Sequence, residues 1–196
     1  MRLEDIDLHG LGEFTDMPGG FRVNRYHLEE PWGYIYTTSR ILLRLDQRGP
    51  DYVQFAPPGG SVLFRRERYQ SFPSLFVWVR TGPTRAFANF FGPVVGGFDA
   101  AMREPREFWC EYTPEKAHYH VMRDHIACDT ELFVSQDEAE VVMTCKVTNA
   151  GIEEREIEVL PVMRPHLAAG SLAPWDLPSL YQKVGYSNES GQVCYL

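Results

Sequence analysis

The chain has 196 residues, a formal net charge of −8, and 44% hydrophobic and 13% aromatic residues. That length suits one large domain with its own core. The acidic balance argues against a phosphate-tracking groove, because nucleic-acid binders present a basic face. No stretch approaches membrane-spanning length. Neither nucleic acid nor membrane is therefore an expected partner.

Residues 1–20 are polar and Gly-rich, and read as a lead-in loop. They open on Met1-Arg2-Leu3-Glu4-Asp5, which lacks the apolar run of a signal peptide. The expected location is the cytoplasm. Cys110, Cys128, Cys145 and Cys194 form no C-x-x-C pair, which fits reduced thiols in that compartment.

From residue 21 onward the hydrophobic period is two. Trp32, Tyr34 and Tyr36 alternate, so one face of a strand carries all three rings. Flat aromatic faces of this kind either stack on sugar rings or fill the core between two sheets. Strands are expected at 52–56, 61–69, 75–80, 85–91 and 107–112. Pro-Pro-Gly-Gly at 57–60 and Thr-Gly-Pro at 81–83 separate them as turn chemistry should. The cluster Arg65-Arg66-Glu67-Arg68 reads as a solvated strand edge. Within 75–79 the pattern assigns Trp78 to the core. Residues 92–106 form a Gly/Pro-punctuated excursion of the sort that often lies near function. Within it, 99–104 is the one helical stretch, with Asp99 as N-cap.

Two further strands, 117–124 and 126–134, flank an Asp124-His125 corner. From 140 to 148, Val141, Met143, Cys145 and Val147 alternate with Val142, Thr144, Lys146 and Thr148. Asn149-Ala150-Gly151 then signals a turn, and alternation resumes over 154–163. There Glu154, Glu156 and Glu158 oppose Arg155, Ile157 and Val159. The pattern predicts a hairpin. Residues 164–190 lose the alternation, and 192–196 look like the start of a strand. The sandwich is thus expected to span 21–196 and to be truncated at its C-terminal end, leaving an edge that favours self-association. Strands recurring near every ten residues give the fold class: all-β, an antiparallel β-sandwich with few short helices.

No constellation in the sequence completes a catalytic or metal site, and no cofactor is expected. His118 and His120 share a strand face, with His125, Asp124 and Asp129 nearby, but zinc needs three or four converging ligands. Glu107 and Glu111 lie on one strand face, yet glycosidic cleavage needs an acid buried beside a second carboxylate or an anion site. The comb Glu154, Glu156, Glu158 reads as a solvated sheet face. There is no nucleophile elbow, phosphate loop or dinucleotide fingerprint. Cys110, between Trp109 and Glu111, reads as an inert buried thiol.

Pro31-Trp32-Gly33-Tyr34-Ile35-Tyr36, preceded by Phe21-Arg22-Val23-Asn24-Arg25, resembles the amino-terminal sandwich of glycoside hydrolase family 94, the cellobiose-phosphorylase-like enzymes. A longer likeness runs from His118 to Asp129, through Thr130-Glu131-Leu132-Phe133-Val134-Ser135, to Ala139-Glu140-Val141-Val142-Met143 and the Val147-Thr148-Asn149 turn. Arg155-Glu156-Ile157-Glu158-Val159 fits the strand that follows. The resemblance spans roughly 20–166, and more loosely Ala173-Pro174-Trp175-Asp176. It implies a super-sandwich fold and a parent reaction in which inorganic phosphate cleaves a β-glucoside with inversion. The general-acid aspartate and the phosphate site of such enzymes sit in a large helical barrel after the sandwich, and no such barrel is found in this sequence. The implied role is an accessory domain supporting homodimer contacts and the substrate wall, with oligosaccharide and phosphate as partners of the parent enzyme. Candidate carbohydrate-binding residues are Trp32, Tyr34, Tyr36 and Trp175. The alternatives are a stand-alone carbohydrate-binding module, which would expose the 32–36 stripe in a groove, and a structural interaction sandwich.

Overall fold

A computed structural model describes residues 10–26, 28, 31–57, 60–66, 75–90, 94–95 and 104–163, with the backbone of Val184–Ser187 and Gln192–Tyr195. The described residues form strands and turns, without a helix. In chain order the first strands are β1 (Gly12–Phe14), β2 (Phe21–Val23), β3 (Gly33–Thr37), β4 (Ile41–Asp46), β5 (Gly49–Phe55) and β6 (Val62–Arg65). Next come β7 (Leu75–Gly82), β8 (Arg85–Ala88), β9 (Val94–Val95), β10 (Glu107–Tyr112) and β11 (Ala117–Arg123). The last are β12 (Ile126–Val134), β13 (Val141–Asn149), β14 (Glu158–Met163), β15 (Val184–Ser187) and β16 (Gln192–Tyr195). The predicted helix at 99–104 falls almost wholly outside the described residues, as does Trp175.

Every pairing is antiparallel. One six-stranded sheet runs β1-β2-β10-β11-β12-β13, and two four-stranded sheets run β3-β4-β5-β6 and β14-β7-β8-β9. β15 and β16 form a hairpin of their own. The inner face of the six-stranded sheet carries Val23, Cys110, Tyr112, Ala117, Tyr119, Leu132 and Val134. It meets Tyr36, Ile41, Leu43, Leu45, Val53 and Phe64 of the β3–β6 sheet in one core cluster. A second cluster joins Ile126 and Cys128 of β12, with Met143, Cys145 and Val147 of β13, to Val77, Val79 and Phe87. The long sheet is therefore one layer, and the two shorter sheets together supply what covers it. This is the all-β antiparallel sandwich that the alternation implied.

Three buried phenols tie the layers together. Tyr36 donates to the Thr113 carbonyl at 2.8 Å, Tyr112 to that of Trp32 at 3.1 Å, and Tyr119 to that of Asp46 at 2.8 Å. Burial pushes all three phenols above their ordinary pKa, so each stays protonated and donating.

The β11–β12 turn is the two-residue corner Asp124-His125, with φ of 47° and 61°. Positive φ at both positions matches the twist of the flanking strands, and aspartate tolerates it better than most residues. The Asp124 carboxylate accepts from Arg85 at 3.3 Å and pairs with Arg155 at 2.8 Å, which holds the corner in place.

The β4–β5 turn is pinned by charge. Asp46 accepts from the Arg48 N–H at 2.7 Å, from the Arg48 guanidinium at 2.8 Å and from Arg66 at 2.7 Å. Gly49 takes φ 99°, and a Cβ there would stand 2.9 Å from the Phe90 ring. Arg66 thus corrects the expectation of a solvated basic edge: its side chain is only 6% exposed, buried against Asp46. β4 itself was not among the expected strands. Its run Ile41-Leu42-Leu43 carries little alternation, because Ile41 and Leu43 are core, as is Leu45 beyond them, while Leu42 is also half-buried.

The expected hairpin over 140–163 does not form. β13 pairs with β12, whereas β14 pairs with β7, so the chain crosses between layers through residues 150–157. Within the crossover the predicted in–out order survives: Glu154 and Glu156 are exposed, Arg155 and Ile157 half-buried. Val159, which alternation sets on the face opposite the solvated glutamate comb and so toward the core, is instead 47% exposed on the β14 edge. Pro161 suits that edge. The Val77 N–H and C=O both engage Asn89 on the β8 side, so the backbone of Pro161, opposite Val77, is directed at the free side where a donor is not needed.

Candidate functional site

The outer face of the six-stranded sheet gathers the side chains that the sequence marks as chemically interesting. Register places Arg22, Glu111, His118, Glu131 and Thr144 side by side in one row across five strands. The adjoining row is Trp109, His120, Asp129 and Lys146. Opposed charges and aromatic pairs on neighbouring strands are the usual stabilising units of a sheet face. Arg22 reaches Glu111 at 2.6 Å and Lys116 reaches Glu131 at 2.6 Å.

His118 and His120 do share a face, and both turn to Asp129. His120 Nδ1 lies 2.8 Å from Asp129 Oδ1, and His118 Nε2 lies 3.6 Å from the same atom. The first of these is hydrogen-bond geometry, and both rings compete for one carboxylate oxygen. Among the described residues no three His, Cys, Asp or Glu side chains are placed to hold a metal ion. The Glu107 and Glu111 carboxylates belong to the same face, with Glu107 3.7 Å from His120 Nε2. They lie along one strand, not facing each other across a gap where a glycosidic bond could sit.

Trp109 is wedged. The Arg22 guanidinium lies 4.9 Å from the centre of its ring, and the His120 imidazole stacks on it at 5.4 Å with planes only 10° apart. Arg22 comes from β2 and His120 from β11, which flank β10 on opposite sides. Both broad faces of the indole are therefore occupied, and the His118 ring meets it at 4.7 Å in a T-shaped contact.

The Trp32, Tyr34, Tyr36 stripe points the other way. Tyr36 is 4% exposed, and Trp32 and Tyr34 pack half-buried against the same core. Tyr34 sits 4.9 Å from Tyr36 and stacks on Tyr112 at 6.0 Å. Of the two meanings the alternation allowed, core filling is what these rings do. Trp78 also packs against the core, as its pattern implied. Cys110 is fully buried, and burial pushes its thiol up to about 12, an inert state.

A cleft that sequence reasoning did not single out opens where two strands part. β2 and β10 are paired only as far as Val23 opposite Cys110. Beyond that point the Asn24 N–H turns to the Leu11 carbonyl at 3.0 Å, while Trp109, Phe108 and Glu107 continue on β10 paired with β11 alone. The gap holds a cavity of about 580 Å³, with Asn24, Arg25 and Tyr26 on one wall and residues 105–109 on the other. Tyr26 meets the Phe108 ring edge-on at 5.7 Å. Burial raises the Tyr26 phenol, and the negative charge of the Glu104 carboxylate adds to the rise. Behind them Arg123 is 1% exposed, and burial draws its guanidinium down to about 10.

The sequence model of the family described as glycosyl hydrolase 94, supersandwich domain, matches residues 75–177, more than half of the chain. The chain belongs to that family. The match begins with β7 and runs through β14, so it includes strands β10–β13 of the long sheet, one wall of the cleft, and the crossover. The opposite wall, from β2, precedes it. No curated protein matches the chain. No helix among the described residues is long and apolar enough to cross a membrane.

Proposed function

We propose that this supersandwich is the accessory domain of an inverting glycoside phosphorylase acting on β-glucosides or oligosaccharides, with the bond-breaking groups on a helical barrel outside these residues. The family match over β7–β14 is the observation that carries the reading. In support, the carboxylates of the outer sheet face are engaged in place: Glu111 by Arg22, Glu131 by Lys116 and Asp129 by His120. An acid and an anion site facing each other, which phosphorolysis with inversion requires, are not what this ladder offers. The proposed role is mechanical: a rigid sandwich that walls the substrate site, supports a homodimer, and works in the cytoplasm on oligosaccharide and inorganic phosphate bound by the parent enzyme.

The test is a phosphorolysis assay of the purified chain on cellobiose and other β-glucosides, with and without a separately produced family 94 helical barrel. The chain alone is expected to release no sugar 1-phosphate and to raise the soluble activity of the barrel when added. Turnover by the chain alone, abolished by one carboxylate substitution within it, would overturn the accessory reading.

A further inference from the structure

We infer that the cleft between the parted strands β2 and β10 is a docking groove for this chain's own amino-terminal segment, with residues 4–8 laid along the β10 edge as a strap. The inference goes beyond the accessory role and does not depend on phosphorolysis. Register shows what the groove lacks. The β10–β2 ladder ends at Cys110 opposite Val23, and alternate residues of a strand send their backbone groups to opposite neighbours. The Thr113 N–H donates to the Lys116 carbonyl at 3.0 Å on the β11 side, so Glu111, Trp109 and Glu107 also turn to β11. Phe108 turns the other way, like Cys110 and Tyr112. Its N–H and C=O therefore aim into the groove, where no described strand meets them. An open edge of this kind accepts an extended segment.

Position, pattern and charge name the segment. β1 enters the long sheet at the same end as the groove: the Leu11 carbonyl accepts from the Asn24 N–H at 3.0 Å, and Asn24 lines the groove. One residue earlier Gly10, with φ of 69°, turns the chain off the β1 line. β10 lies two strands from β1, about 10 Å across the sheet, and residues 1–9 in extended form reach about 30 Å. Asp5-Ile6-Asp7-Leu8 alternates acid and apolar residues, so a strand there carries Ile6 and Leu8 on one face and Asp5 and Asp7 on the other. The groove offers a complement to each. Tyr26 and Phe108, ring to ring at 5.7 Å, are its apolar part, and Arg25 and Arg106 are exposed at its rims. With Arg123 behind them, three arginines outnumber Glu104 and Glu107, so the groove is basic on a chain of net charge −8. In the segment Glu4, Asp5 and Asp7 outnumber Arg2, which is the opposite sign. A sheet edge covered from within the chain is closed to pairing with other molecules.

Residue-resolved amide exchange of the full chain tests the inference, with the Val77 amide, held by Asn89 in another sheet, as reference. The Phe108 amide is expected to be protected in the parent. Asp5→Lys with Asp7→Lys, and separately Arg25→Glu with Arg106→Glu, should each cut that protection by about three- to tenfold, the weight of two partly exposed ion pairs, and leave Val77 unchanged. Arg25 and Arg106 are exposed, so their variant should melt with the parent. Combining all four substitutions should restore the protection, which a merely structural loss at the arginines would not do. The inference is overturned if the Phe108 amide exchanges freely in the parent, if neither charge variant alters it, or if the combined variant fails to restore it. Protection that falls on dilution, with a dimer in sedimentation, would overturn it as well, because a second copy would then fill the groove. A failed phosphorolysis assay would leave these exchange rates unchanged, so the two readings fail separately.

Discussion

Asn89 is fully buried where β8 ends, and its amide replaces a missing piece of ladder. Its Oδ1 accepts the Val77 N–H at 2.7 Å, and its Nδ2 donates to the Thr130 hydroxyl at 2.9 Å, joining the β7–β8 sheet to β12. Asn89→Ala would orphan a buried backbone N–H, a penalty of about 1–3 kcal/mol, and leave the Thr130 hydroxyl one partner short, about 0.5–1.5 kcal/mol more. The expected total is about 2–4 kcal/mol, or roughly 5–15 °C in melting temperature for a chain of this size. Asn89→Leu separates polarity from packing, because it fills the volume and still orphans Val77. It should therefore remain at least about 1 kcal/mol below the parent. A double-mutant cycle with Thr130→Val isolates the cross-layer bond. Urea melts and amide exchange at Val77 are the measurements. If Asn89→Leu melts with the parent and the Val77 amide keeps its protection, the amide bridge is not what holds the two layers in register.

Two further outcomes follow from the same structure. Burial opposes ionisation of Asp46, but Arg66 and Arg48 outweigh it, and the carboxyl is held below its ordinary 3.8. A depressed folded-state value means that this pairing stabilises above the unfolded value and is lost as pH falls through the folded one. Asp46→Asn, which leaves Arg66 buried without a counter-charge, should cost about 3–5 kcal/mol near neutrality and much less in acid, as urea melts at several pH values would show. On β13, Val147→Ala should cost about 1 kcal/mol, since Val147 packs half-buried on the second core cluster, while Val142→Thr on the outer face should cost under about 0.5 kcal/mol. A costlier Val142→Thr in the same melts would mean that the strand is offset by one residue.

The strands that were legible in sequence are those with one wet face. β12 and β13 alternate because Cys128, Thr130, Leu132, Met143 and Cys145 face the other layer while Asp129, Glu131, Thr144 and Lys146 form the outer ladder. β4 escaped because its polar positions are few: Arg44 is occupied by Asp51, and Asp46 is buried. Arg66 was misread for a related reason. A basic cluster is solvated unless an acid distant in sequence is folded against it, and Asp46 lies 20 residues back. The false hairpin shows where local pattern stops. Asn149-Ala150-Gly151 does turn the chain, but a turn does not name the next strand's neighbour. β14 pairs with β7, with Pro161 opposite Val77, because the second core cluster draws Ile157 across the layers and Arg155 anchors the crossover to Asp124.

The candidate site was harder to read than the fold, and the aromatic residues show why. A period of two puts Trp32, Tyr34 and Tyr36 on one face but leaves open whether that face meets water. The choice is made by groups far away: the Thr113 carbonyl that receives the Tyr36 hydroxyl, and the Tyr112 ring that covers Tyr34. The opposite holds for Trp109. Its neighbour Cys110 is fully buried on the inner face, so alternation sends Trp109 outward, where Arg22 and His120 then close both sides of its ring. The cleft has no local signature at all. Tyr26 and Glu107 are 81 residues apart, and they become walls of one cleft only because β2 stops pairing with β10 at Val23. A strand that ends before its partner does leaves a notch at the sheet surface, and the side chains on either rim decide what the notch can hold. Here those rims carry a tyrosine, an asparagine, two arginines and a glutamate, brought together by the end of one strand and by no local pattern.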